Sequence, residues 1–285
     1  MLNTRSLLSS LTLLVAVLLL AAPVRGQMDH TGLQEVLVRT RDYQFDAPEV
    51  VRSGPTHIRL INEGPDFHHL WLVRLLDGKT LKDLTDVLSA GDVALPDWAV
   101  DEGGPNTPGK PGEESSVYLD LKPGNYAMLC VIPAATDGLP HIAHGMVRGL
   151  TVEKSTTEET AELPKADITM TLADYSFALS KAITPGKHTI RVENIAPQAH
   201  EVVVVKLDEG KTAQDFIQWV GTVPRDDKAG PGEIIGGVTG ISKGEFNIVT
   251  LDFEPGRYAL VCFFPDAGDG MPHFMHGMVQ EFTVG

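Results

Sequence analysis

Two cysteines, Cys130 and Cys262, each precede a histidine across ten intervening residues and a methionine five positions further on. The histidines are His141 and His273; the methionines are Met146 and Met278. A further histidine stands far upstream of each cysteine, His68 in one case and His200 in the other. Two imidazoles, a thiolate and a weak thioether are the donor set that suits copper moving between Cu(II) and Cu(I). Imidazole serves both oxidation states, thiolate binds strongly, and a distant thioether tunes the potential.

Both sets belong to one unit written twice. At an offset of 132, Tyr43 and Phe45 fall on Tyr175 and Phe177, Asn62 on Asn194 and Tyr126 on Tyr258 without a gap. All four donor positions coincide. Between Leu84 and Pro111, by contrast, the copies agree only at Gly104/Gly236 and Thr107/Thr239. A period this long denotes a duplicated domain, here 27–153 and 167–285, joined by a polar linker over 154–166. Apolar residues alternate in Ile58 and Leu60, in Val117, Leu119 and Leu121, and in Tyr126, Met128 and Cys130, so each cysteine lies on one face of a strand. Many short strands with Gly/Pro turns predict an all-β pair of tandem Greek-key β-sandwiches. Thr80–Asp83 and Thr212–Asp215 read as capping boxes and predict one short helical insertion per unit. The stretches after those helices, through Pro111 and Lys243, read as long divergent loops.

Pro-Gly-x-Tyr-x-x-x-Cys, then His, Gly-Met-Val and a closing Thr-Val, resembles the copper-binding end of plastocyanin and other cupredoxins. Asn62…His68 ahead of an apolar strand is similar to that family's first histidine. The resemblance covers 36–152 and 168–284. It implies a type 1 (blue) copper in each domain, with His68 and His200 as early ligands, Cys130 and Cys262 as thiolates, His141 and His273 as second imidazoles, and Met146 and Met278 as axial ligands. The ten-residue Cys-to-His interval departs from the plastocyanin spacing, is nearer that of copper nitrite reductases, and leaves the placing of the second imidazole open. His144 and His276, repeated two residues before the methionines, are the alternative. His69 has Glu201 as its counterpart and reads as a rim residue; His57 and His188 read as surface residues. Trp71, Trp98 and Trp219 read as core or interface.

The 285 residues carry 23 Lys+Arg against 38 Asp+Glu. An acidic chain is a poor nucleic-acid binder and favours a basic redox partner protein. Arg5 and the apolar run from Leu11 to Ala22 form a signal peptide over 1–26, cleaved before Gln27. Its removal takes two Arg and no acid, giving 21 − 38 = −17 for the mature chain. No further apolar span follows, so the expectation is a periplasmic or secreted protein without a membrane anchor, with oligomerisation left open. Outer-sphere electron transfer is the leading function and catalysis the less favoured one. Two-domain cupredoxin enzymes place a histidine beside the type 1 cysteine, whereas the neighbours here are Leu129, Val131, Val261 and Phe263. Copper handling or storage is the alternative, motivated by Met271 and Met275.

Overall fold

The computed structural model describes residues 27–28, 32–89, 95–109, 111–156, 161–225 and 230–285. The leader and part of the linker lie outside the described residues. In chain order the first copy contains β1 (Gln27–Met28), β2 (Gln34–Arg41), β3 (Gln44–Asp46), β4 (Val50–Arg52), β5 (Gly54–Asn62), β6 (Trp71–Leu75), α1 (Leu81–Ser89), β7 (Ala99–Gly103), β8 (Glu114–Leu121), β9 (Gly124–Leu129) and β10 (Val147–Glu153). The second contains β11 (Ile168–Ala173), β12 (Ser176–Leu179), β13 (Gly186–Asn194), β14 (His200–Leu207), α2 (Ala213–Val220), β15 (Gly232–Ile241), β16 (Phe246–Phe253), β17 (Gly256–Val261) and β18 (Val279–Val284). Among the described residues no helix is long and apolar enough to cross a membrane.

The all-β sandwich expected from the alternation is present in both copies. Inward residues of β2, β5 and β8 (Val36, Val38, Ile58, Leu60, Val117 and Leu119) meet those of β6 and β9 in one buried cluster that continues through the second copy. Tyr126, Met128 and Cys130 share the inner face of the β9 strand line, as Tyr258, Leu260 and Cys262 do at β17. The alternate residues are buried too, because the helices cover the outer face. Ala127 and Leu129 pack with Leu84 of α1, and Ala259 and Val261 with Phe216 and Ile217 of α2. Both helices start on the expected boxes. Thr80 N donates to Asp83 Oδ2 at 2.9 Å, and Thr212 N donates to Asp215 Oδ2 at the same distance.

The segments expected to be divergent loops hold β7 and β15, and these join the copies. Two sheets of nine strands run through the molecule, in the orders β1-β2-β5-β8-β16-β13-β11-β12, with β3 on β2, and β18-β17-β14-β15-β7-β6-β9-β10-β4. The first crosses between copies at Tyr118↔Ile248, the second at Glu102↔Ile241. The seam is reciprocal. Pro105 bridges Val238, and Asn106 N donates to Gly237 O at 3.2 Å, so positions 105 and 106 each face the other's counterpart. The two matches in the otherwise divergent stretch sit here: Thr239 N donates to Gly104 O at 3.0 Å. Gly104 has φ +131°, and a Cβ on it would stand 2.2 Å from Leu70 O. Glycine and acidic residues in β7 and β15 weaken the strand pattern in sequence, which is why the seam is hidden there.

Candidate metal centres

Each early histidine sits where the chain enters or approaches an inner strand: His68 just ahead of β6, and His200 as the first residue of β14. Asn62 and Asn194 fix the approach. Asn62 Nδ2 donates to Asp66 O and Asn194 Nδ2 to Gln198 O, both at 2.7 Å. The ten-residue Cys-to-His interval is a closed hairpin in both copies. Pro133 bridges Pro140, and His141 N donates to Ile132 O at 3.0 Å; Pro265 bridges Pro272, and His273 N donates to Phe264 O at 2.9 Å. The hairpin returns the histidine to its cysteine. A short 3-10 turn then ends on Gly145 or Gly277, whose φ of +91° and +96° reverse the chain. Met146 N and Met278 N thereby donate back to His141 O and His273 O, both at 3.0 Å.

The structure brings together His68, Cys130 and His141, and separately His200, Cys262 and His273, all fully buried, with each trio's donor atoms within 4.8 Å of one another. His68 Nδ1 lies 3.1 Å from His141 Nδ1, and Cys130 Sγ lies 3.4 Å from the latter. The second trio repeats this at 2.9 and 3.4 Å. Met146 and Met278 are also fully buried, in the core cluster that contains the cysteines.

The outward nitrogens decide the protonation. His68 Nε2 faces Asp42 Oδ1 at 3.0 Å, His141 Nε2 faces Asp66 Oδ2 at 3.3 Å, His200 Nε2 faces Asp174 Oδ1 at 3.0 Å and His273 Nε2 faces Gln198 Oε1 at 3.1 Å. These oxygens only accept, so the ring protons belong on Nε2. Both Nδ1 lone pairs of each trio then converge on the cysteine sulfur, 3.4 Å from the second histidine's Nδ1, and the thiol proton on Sγ is the one a bound cation would displace. That arrangement fits a cation, and the N/N/S donor set fits copper. Burial works in the same direction for the imidazoles. It lowers the pKa of His68 and His200 and takes His273 down to about 4, keeping these rings neutral. It also pushes the Cys130 thiol up to about 12 and raises Cys262 well above its ordinary value, so a cation is what would draw off these protons.

His144 and His276 lie at the mouth instead. His144 Nε2 is 3.2 Å from Asp137 and its ring stacks on Tyr43 with centroids 4.5 Å apart; His276 pairs with Asp269 at 3.2 Å beside Tyr175. Tyr43 and Tyr175 also meet His141 and His273 edge-on. Asp42-Tyr43 and Asp174-Tyr175 recur at the repeat offset, and that recurrence was the available signal for this outer layer. Asp66 had no such signal, because its counterpart is Gln198. Nor had Arg225, which reaches from the second copy to Asp66 Oδ1 at 2.7 Å.

Three histidine expectations change. His69 is buried, not on a rim: its Nε2 accepts from Val131 N at 3.1 Å, as Glu201 Oε1 accepts from Phe263 N at 3.0 Å. A shared amide-anchoring place tolerates either side chain, which hides the equivalence in sequence. His188 is buried against Asp167 at 2.7 Å, and His57 is half-buried with its ring stacked on Tyr118. Trp71 does lie at the junction of the copies, its ring edge-on to Phe264.

The chain matches no protein-family model and no curated protein sequence. Solved structures do match. Auracyanin B is 19% identical over 44% of this chain and 93% of its own, with a TM-score of 0.30. The auracyanin of the photosynthetic bacterium Roseiflexus castenholzii is 25% identical over 42% of this chain and 99% of its own, at 0.29. A multicopper oxidase is 14% identical over 93% of this chain and 94% of its own, at 0.24. Each half pairs two sheets, brings a histidine into an inner strand and closes a Cys–His–Met run on it, which is the arrangement in which its sequence resembles the cupredoxins.

Proposed function

We propose that this is an exported copper protein that holds one type 1 copper in each half, cycles it between Cu(II) and Cu(I), and passes single electrons without binding a substrate at the metal. The observation that carries the reading is the convergence, twice, of two Nδ1 atoms and a cysteine sulfur inside a β-sandwich. Copper would supply the one-electron couple. The protein's part is to hold the donors in one geometry for both oxidation states: the hairpins fix the second histidine, and the Nε2 partners fix both rings. Since His141 and His273 are fully buried, electrons would enter or leave through the layer above them, Tyr43 with His144 and Tyr175 with His276. An acidic chain suits a basic partner, whose approach it would steer.

Copper titration is the test. The purified protein is expected to take two ions per chain and develop an intense visible thiolate-to-copper band, and Cys130→Ser is expected to remove one site's share of it. Stoichiometric binding without colour would rule out type 1 sites.

A second reading, copper handling, draws on one feature of the second hairpin. Met271 and Met275 are 40% and 57% exposed, beside His276. That reading requires Cu(I) beyond two ions per chain, lost in the Met271→Leu/Met275→Leu double variant.

A further inference from the structure

Between the two donor sets lies a cavity of about 660 Å³ that neither set uses. Its wall is built from residues next in sequence to the donors. Val131 follows Cys130 and His69 follows His68; Phe263 follows Cys262 and Glu201 follows His200. The same wall residues are tied to one another, His69 to the Val131 amide and Glu201 to the Phe263 amide. The cavity therefore backs onto both centres at once.

Its surface is mostly apolar and rich in rings, among them Phe67, Trp71, Phe216 and Phe264. The volume falls within the range of small-molecule sites, roughly 300–1,000 Å³. Few polar groups interrupt it. Because His69 Nε2 accepts the Val131 amide, the ring proton sits on Nδ1, which meets no partner among the described residues. Glu201 Oε2 has one long contact, from Asn106 Nδ2 at 3.4 Å. A donor and an acceptor facing an aromatic-walled space match a ring that carries hydroxyl groups, since a hydroxyl both accepts and donates. Val223, which lines the cavity and is 43% exposed, marks its opening.

We propose that this cavity binds one small hydroquinone-class molecule, placed to deliver its electrons to both centres. The proposal rests on the copper reading for its redox half and on the cavity alone for its binding half. Oxidation of the hydroquinone to the quinone breaks two O–H bonds. It releases two protons to the water at the opening and two electrons, one reducing each half's Cu(II) to Cu(I). Two one-electron acceptors around one two-electron donor balance the exchange within a single chain.

The binding half is tested on metal-free full-length protein under anaerobic conditions, with trimethylhydroquinone as the probe and tryptophan fluorescence as the readout, since Trp71 forms part of the wall. Saturable quenching at one molecule per chain is expected, with Kd raised at least tenfold by Val223→Trp at the opening and by Leu88→Trp on the helical wall. No saturable binding by the folded chain, or binding that a folded filling variant leaves unchanged, overturns it. On copper-loaded protein, one equivalent of the probe is expected to bleach both sites, at least tenfold more slowly in Val223→Trp. Equal bleaching rates would place electron entry elsewhere and overturn the redox half. Failure of the copper reading shows separately, as a copper-loaded protein without colour, and leaves the metal-free binding result standing.

Discussion

The two centres share their inner donors and differ one layer out. Behind His141 stands the Asp66 carboxylate at 3.3 Å; behind His273 the Gln198 amide comes first, at 3.1 Å, and the Asp266 carboxylate stands back at 3.7 Å. Burial raises the Asp66 pKa, but the His141 contact, the Ala135 and Phe67 amides and the Arg225 guanidinium together hold it well below the ordinary carboxylate range. Arg225 is itself buried, with NH1 on Val220 O at 3.1 Å. Arg225→Gln leaves that carboxylate without its cation. The extra negative charge favours Cu(II), so the first centre's reduction potential is expected to fall while the second's stays put, which a redox titration of the two centres resolves. Breaking a buried pair this way is also expected to cost about 3–5 kcal/mol in denaturant unfolding. The His–Cys–His trio of each half was readable in the sequence because repetition marks it. The Asp66–Arg225 pair was not, since it joins residues 159 apart and exists in one copy only.

At the scale of elements, the strands that carry Ile58, Val117 and Tyr126 and the helices that begin at Thr80 and Thr212 could be read from alternation and caps. The joining strands could not, and they hold the most constrained backbone. Gly104→Ala must accommodate φ +131° and a Cβ 2.2 Å from Leu70 O, a backbone atom. A loss of about 3 kcal/mol is expected on unfolding. Gly112→Ala, at φ +86° with nothing within 4 Å, is the control at about 1 kcal/mol. Beside the seam, burial holds the Asp101 carboxyl up at about 7, against the pull of hydrogen bonds from Ser242 and Trp71. Unfolded, it would release its proton near pH 4. Between about pH 4 and 7 the unfolded chain thus binds fewer protons than the folded one, so this group's contribution to stability declines as pH rises. Asp101→Asn keeps an acceptor for Trp71 and offers an amide to Ser242 Oγ. Its urea midpoint is expected to drop less between pH 5 and pH 8 than that of the wild type.

For the whole molecule, the reciprocal seam has a consequence beyond joining the halves. A contact in which position 105 meets the counterpart of 106, and 106 the counterpart of 105, is what two identical subunits form about a twofold axis. The seam faces of the two units, although they carry Pro105 against Gly237 and Asn106 against Val238 at equivalent positions, meet as those of like subunits would, and the linker turns what would be a concentration-dependent encounter into an intramolecular one. The second unit expressed by itself, residues 161–285, is therefore expected to sediment as a homodimer that dissociates on dilution, whereas the full chain keeps its seam at any concentration. The duplicated chain is in this sense a tethered dimer. Tethering frees each half to diverge: a symmetric pair must carry the same residue behind both histidines, whereas a fused one can keep Asp66 on one side and Gln198 on the other.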